Sequence, residues 1–152
     1  MPTSDEPVSD LAAERAIDPA VAEVYPRVRQ AIADALACDV ERVGLEARLI
    51  DDLAAESIDF LDILFRLERG FKIKIPQGKI LSDARGGLLE SEFERDGVLT
   101  PAGLARLREV LSEVPAERFR PGLKLADVPR LFTVETFCRI VVRALASRER
   151  LS

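Results

Sequence analysis

Apolar residues recur at three- and four-residue steps from about Ala20 to Ala37, where Val21, Val24, Val28, Ile32, Ala35 and Leu36 share one side of the chain. That spacing predicts an amphipathic helix. Pro26 falls inside the run; proline is tolerated in a first turn and bends a helix elsewhere, so either the strong helix begins near Tyr25 or there is a bend there. After Cys38 comes a stretch without period, DVERVGLEARLIDDLAAE, with Val40, Val43, Leu45, Leu49, Ile50 and Leu53 as anchors of a long ordered loop. A second helix is predicted from about Ser57 to Gly70. Ile58, Leu61, Leu64, Phe65 and Leu67 form its wide apolar face, Asp59, Asp62, Arg66 and Arg69 lie mostly opposite, and Gly70 is a natural stop.

The next segment, FKIKIP, alternates Phe71, Ile73 and Ile75 with Lys72 and Lys74, a strand pattern by period alone. No second run of strand type stands ready to pair with it, and a lone strand leaves its backbone groups unsatisfied. An extended crossing that plugs three apolar residues into a helical core is the expectation. From Gln77 to about Ala126 the pattern is irregular around one clear helix, about Pro101 to Ser112, with Thr100 as its cap and Leu104, Leu107, Val110 and Leu111 in its stripe. A last helix starts after Thr133 and carries Val134, Phe137, Ile140, Val141 and Leu145 on one face. Residues 1–19 read as a loosely ordered acidic tail, with at most a weak helical turn from Leu11 to Ile17. Residues 20–148 then form a single all-α domain.

Composition narrows the chemistry. With 47% hydrophobic and 32% charged residues in 152, there is enough apolar material for one core. Lys+Arg number 22 against 27 Asp+Glu, a net charge of -5, which argues against a nucleic-acid binder and for basic partners. The chain contains no histidine, which removes Ser-His-Asp and Cys-His catalysis and His-containing zinc sites. Cys38 and Cys138 lack the close spacing of a metal or redox motif and read as buried thiols. No apolar run approaches the roughly 20 residues that span a bilayer, and the start of the chain is acidic, so the expectation is a soluble cytoplasmic protein with no metal site.

Ser57 at a predicted helix start could do no more than cap that helix, as serines commonly do. It sits, however, in a cluster: Asp51, Asp52, Leu53, two small residues Ala54 and Ala55, Glu56, then Ser57-Ile58-Asp59. A hydroxyl in the first turn of a helix is a point where a phosphodiester meets free backbone N–H groups and the positive end of the dipole. That favours a phosphate-bearing attachment.

The stretch LIDDLAAESIDFLDILFRLERGFKIKIP, Leu49 to Pro76, resembles the acyl carrier proteins and the related peptidyl carrier domains. It looks like their acidic-Leu-Gly-Ala-Asp-Ser-Leu-Asp pattern, followed by an amphipathic helix and a Glu-Phe-x-Ile-x-Ile-Pro exit. DVPRLFTVETFCRIV is similar to the family's final helix and its Thr-Val start. With the first helix, the likeness covers about half of the chain. It implies a four-helix bundle, with a roughly fifty-residue insertion at about 77–126 carrying an extra helix, where the family has only a short third helix. It also implies 4'-phosphopantetheine, taken from coenzyme A and attached to Ser57, with Glu56 and Ile58 as its acidic and apolar neighbours and Asp59 beside them. Asp59, Asp62 and Arg66 would meet partner enzymes. Leu61, Ile63, Leu64, Phe65, Phe137 and Val141 would shelter an acyl chain, though apolar helical stripes are as often plain packing.

The resemblance implies no catalysis by the chain itself. A phosphopantetheinyl transferase would attach the arm, and acyl groups would ride on its thiol as thioesters between a ketosynthase, an acyltransferase or an acyl-ACP ligase of a specialised fatty acid, lipid or polyketide pathway. A monomer is expected. Three departures mark a specialised carrier: Ala54 and Glu56 stand where the family has glycine and aspartate, the second-helix face is less acidic, with Asp59, Asp62 and Glu68 set against Arg66 and Arg69 and followed by Lys72 and Lys74, and the insertion is long. The helix at about Pro101–Ser112 is expected to pack over the second and last helices, enlarging the acyl cavity or presenting a partner surface. The competing reading is an unmodified helical interaction module of the same fold.

Overall fold

The computed structural model describes residues 18–75 and 85–151, with side chains to residue 147. The expected turn from Leu11 to Ile17, most of the acidic tail, and residues 76–84 at the start of the expected insertion lie outside the described residues.

Asp18 opens the first helix, α1 (Pro19–Leu36): its carboxylate accepts from the Ala20 N–H at 2.8 Å. Pro19, which has no N–H to leave unpaired, takes the first helical position. The helix runs through Pro26 without a break, so it does not begin near Tyr25. An interior proline costs about 3 kcal/mol. The buried stripe Val21, Val24, Val28 and Ile32 lies on both sides of it, and each such side chain contributes roughly 1.5–3 kcal/mol on burial, which outweighs that loss. Ala37, in the left-handed region at φ 54°, ends α1.

The long loop is ordered as expected. A 3-10 turn (Val40–Arg42) is held to α1 by Arg29 Nε on the Val40 carbonyl, and the Tyr25 hydroxyl donates to the Val43 carbonyl, both at 2.7 Å. Val43, Leu49 and Leu53 are buried, while Val40, Leu45 and Ile50 are half-buried. The second long helix is α2 (Ser57–Phe71), which buries Ile63, Leu67 and Phe71. Beyond it the chain crosses in extended form, with Phe71, Ile73 and Ile75 in the core and Lys72 and Lys74 outside, so the alternation marks a plug and not a strand. The Ile75 N–H donates to the Glu68 carboxylate at 2.6 Å, giving this segment a partner that a sheet would otherwise supply.

From residue 85 onward the segment has structure of its own: a helical turn α3 (Glu90–Phe93), a hairpin of β1 (Glu94–Arg95) and β2 (Val98–Leu99), and helix α4 (Pro101–Val110). The hairpin is a small two-stranded addition to a structure that is otherwise helical, as expected. Its pairs are Glu94 with Leu99 and Arg95 with Val98, and Asp96 and Gly97 both take positive φ in the turn. Thr100 caps α4 as expected, accepting from the Gly103 N–H at 3.0 Å. The main packing of α4, however, is on α3 and β2, not over the second and last helices. Gly103 explains why: a Cβ there would sit 2.1 Å from the Phe93 carbonyl oxygen, so the two backbones are in direct contact.

A 3-10 turn (Ala116–Arg118) and a 3-10 helix (Leu125–Leu131) lead to the last helix, α5 (Val134–Leu151). The 3-10 helix stands where the resemblance places a short third helix. α1 packs against both α2 and α5, and the buried side chains from Val21 to Val141 form one cluster. Within it Phe60, Phe132 and Phe137 meet with ring centroids 5.9–6.2 Å apart, joining α2 to the chain at the start of α5.

Candidate functional site

The approach to Ser57 is a knotted turn. Asp52 and Leu53 N–H groups donate to the Arg48 carbonyl, Ala54 to Ile50 and Ala55 to Leu49, all within 2.9–3.1 Å. Arg48 closes the turn from outside: its backbone N–H and Nε donate to Asp52 Oδ2 at 2.8 and 3.0 Å, and Nη2 donates to Oδ1 at 2.9 Å. This side-chain hydrogen bond from the guanidinium, aided by the backbone one, holds the Asp52 carboxyl below its ordinary range and raises Arg48 in turn. Ala55 is buried, while Ala54 sits at φ 60°, a left-handed conformation that an alanine adopts only under strain. The position at which the family pattern has glycine is therefore one where the backbone calls for it.

The turn is tied to the end of the molecule. The Leu49 N–H donates to the Phe132 carbonyl at 3.1 Å, and the N–H groups of Val134 and Glu135 donate to the carbonyls of Ala47 and Leu45. Asp51 Oδ1 meets Arg130 Nη1 at 2.9 Å, with Arg48 and Arg118 each 3.7 Å from its other oxygen. The acidic pair before the serine is thus held by three arginines, Arg48 from the same loop and Arg118 and Arg130 from far along the chain. Spacing gave no signal for Arg118 and Arg130.

Ser57 is exposed at the first position of α2, and Glu56, not Ser57, is the capping residue. The reading of Ser57 as a cap does not hold: a residue already inside the helix cannot satisfy the first-turn N–H groups as an N-cap side chain does. Asp59 turns back to accept from the Glu56 N–H at 2.8 Å, so this half-buried carboxylate braces the helix start. Asp62 and Arg66 form a pair at 3.0 Å one turn on. The expected apolar group divides. Ile63, Phe137 and Val141 are in the core at 0–1% exposure and Leu64 is half-buried, whereas Leu61 (40%) and Phe65 (59%) face outward with Ile58 (70%). These three stand three and four residues apart and make one exposed stripe leading away from Ser57. A cleft of about 450 Å³ between α1 and α2 is lined by Arg27, Asp34, Arg66, Arg69 and Phe71, and by none of the six residues expected to shelter an acyl chain.

An exposed hydroxyl in the first turn of a 15-residue helix has room for a phosphodiester, and the positive end of the helix dipole to receive its charge. The residues present fit 4'-phosphopantetheine. Among the described residues no group of three or more acidic or thiol side chains is arranged to hold a metal, and no helix is long and apolar enough to cross a membrane.

Residues 26–84 match the family model described as the phosphopantetheine attachment site. The acyl carrier protein AcpXL of Mesorhizobium japonicum is 36% identical over 63 residues, 41% of this chain and 68% of the relative. AcpXL of Rhizobium meliloti is 35% identical over 72 residues, 47% of this chain and 76% of the relative. The acyl carrier protein of Clostridium acetobutylicum is 38% identical over 53 residues, 35% of this chain and 69% of the relative.

Proposed function

From the premise that the chain belongs to the acyl carrier protein family, and so is a non-catalytic carrier whose cofactor is 4'-phosphopantetheine, we propose that Ser57 is the attachment residue and that the protein serves a specialised fatty acid, lipid or polyketide-type pathway in the cytoplasm. The observation that supports Ser57 most directly is its exposure at the first helical position of α2, within the matched residues. When attached, the arm supplies a terminal thiol that holds acyl groups as thioesters. Every other contribution comes from the chain. The first-turn N–H groups of α2 receive the phosphodiester's charge, Asp59 keeps that turn closed, and the Arg48–Asp52 clasp holds the serine's approach in one conformation.

Partner recognition belongs to the outward face of α2. Ile58, Leu61 and Phe65 offer an apolar stripe and the Asp62–Arg66 pair a polar border, suited to the phosphopantetheinyl transferase and then to a ketosynthase, an acyltransferase or an acyl-ACP ligase. Ile63, Phe137 and Val141, with Leu64 at their edge, form the core that parts to shelter an acyl chain. Residues 77–126 are the insertion that distinguishes this carrier, and the packing of its helix α4 on α3 and β2 beside Phe93 supports reading that part as a separate surface instead of a lid on α2 and α5.

The test is the intact mass after incubation with coenzyme A and a broad-specificity transferase, with Ser57→Ala alongside. One added phosphopantetheinyl group in the wild type alone is the expected result. No addition there, and none in protein recovered from its native host, would leave a carrier fold used unmodified as an interaction module.

A further inference from the structure

Charge is divided along α2. Glu56, Asp59 and Asp62 stand toward the Ser57 end, whereas Arg66 and Arg69 stand toward the other, with exposed Lys72 and Lys74 just beyond. Arg69 and Ser57 are separated by about 18 Å along the axis, at a rise of about 1.5 Å per residue. The cleft of about 450 Å³ between α1 and α2 opens at this basic end. Among its charged lining residues Arg27, Arg66 and Arg69 outnumber Asp34, whose carboxylate already accepts from the Gln30 amide at 2.9 Å.

The three arginines keep donors to spare. Arg27 donates to the Gly70 carbonyl and its guanidinium lies 4.2 Å from the centre of the Phe71 ring, which braces it at the cleft. Arg66 spends Nε on Asp62 at 3.0 Å. Arg69 is exposed and makes no hydrogen bond or ion pair among the described residues. A guanidinium carries five N–H donors, so each can still take a carboxylate. The cleft is also continuous with the apolar stripe of Ile58, Leu61 and Phe65: Arg66 follows Phe65 in the chain, borders the stripe and lines the cleft. A protein seated on Phe65 therefore reaches the cleft without leaving the surface of α2.

We propose that this cleft is a second docking point, which takes an acidic segment of the partner protein that sits on the stripe. Two or more carboxylates close together in that segment match the three arginines. The assignment rests on the reading of the stripe as the partner face and adds to it a direction. With acid toward Ser57 and base at the far end, one helix offers two points of opposite sign, and a partner carrying the complementary pair can lie along it in one sense only.

The experiment titrates the full-length ¹⁵N-labelled protein with N-acetylated, C-amidated tetra-glutamate and follows amide chemical shifts, with the corresponding tetra-lysine as the control of opposite sign. Saturable shifts centred on Arg27, Arg69 and Gly70 are expected with tetra-glutamate and not with tetra-lysine. Arg69→Glu should weaken this binding on the order of tenfold, and Asp34→Asn, which removes the opposing charge, should tighten it. No saturation in the wild type, or equal shifts there with tetra-lysine, would overturn the site, whether the cleft stands open or is filled by acidic residues from the start of the chain. Shifts at the same residues on dilution of the free protein would give the cleft to a second copy and overturn the partner assignment. The stripe is tested apart by Phe65→Ala, which removes no group of the cleft. Undiminished turnover by partner enzymes in that variant would overturn the stripe as the partner face, whereas slowed turnover together with no peptide binding would overturn the cleft alone.

Discussion

Asp51 and Arg130 meet at 2.9 Å across 79 positions of sequence, which fastens the loop before Ser57 to the 3-10 helix before α5. The pair is partly exposed, at 30% and 56%, so it contributes as surface pairs do, about 1 kcal/mol or less. A double-mutant cycle of Asp51→Asn and Arg130→Gln in urea should return a coupling of that size, falling further in 1 M salt. Arg118 also donates to the Arg130 carbonyl at 3.1 Å. Arg118→Ala should therefore lower the Asp51–Arg130 coupling, and an unchanged coupling would show the three side chains to be independent.

Ile63 and Phe65 are two residues apart on α2 and differ in what they do. Ile63 is fully buried, and Ile63→Ala should destabilise the protein by roughly 2–5 kcal/mol. Phe65 is 59% exposed, so Phe65→Ala should cost well under about 1 kcal/mol in stability while slowing turnover of the loaded carrier by its partner enzymes. Urea unfolding and a loading assay on both variants decide the matter. A large stability loss at Phe65 would place it in the core after all.

Glycine to alanine inside an exposed helix normally gains about 1 kcal/mol. At Gly103 the sign should reverse, because the added Cβ meets the Phe93 carbonyl oxygen at 2.1 Å and one backbone must move. Hydrogen exchange of Gly103→Ala should show early loss of protection through residues 90–110 while α1 and α5 remain protected. Thr100→Ala, which removes the cap on the same helix, should cost about 1 kcal/mol and loosen the same residues less.

Burial pushes the Cys138 thiol up to about 12, with Glu135 adding to the effect, from an ordinary value of 9.0. The folded protein therefore keeps a proton that the unfolded chain releases above pH 9. Stability is unaffected below that and falls as pH rises from 9 toward 12, with a slope of up to about 1.4 kcal/mol per pH unit. Comparing wild type with Cys138→Ala isolates the thiol, because Tyr25, whose phenol is also raised by burial, is common to both. The wild type alone should show this added loss. In the native protein a thiol reagent should modify half-buried Cys38 and leave Cys138 until unfolding.

The long helices and the plug after α2 were legible because their signals are local. Apolar spacing marks α1, α2 and α5, and the lack of a pairing partner rejects a strand at Phe71–Ile75 although the alternation is strict. Ser57 was legible for the same reason, as a hydroxyl within a short cluster at a helix start. What was hidden depends on contacts far apart in sequence. The stripe of α4 carries no mark of which elements the helix packs on, and the close approach of Gly103 to the Phe93 carbonyl cannot be read from spacing. Nothing near Asp51 announces Arg118 or Arg130. The division of the apolar residues of α2 into buried Ile63 and outward Leu61 and Phe65 also turns on which neighbours arrive, because a wide apolar face does not say where its edge lies.

Ala54, held at φ 60° three residues before Ser57, has a consequence for the loop itself. A glycine there would keep that conformation at no steric cost, whereas the alanine methyl is crowded in it by about 1–2 kcal/mol. The Arg48–Asp52 clasp and the backbone hydrogen bonds of the turn therefore hold residue 54 against its own preference. The approach to Ser57 is a sprung catch, kept shut by its neighbours and the first part to relax when they are removed.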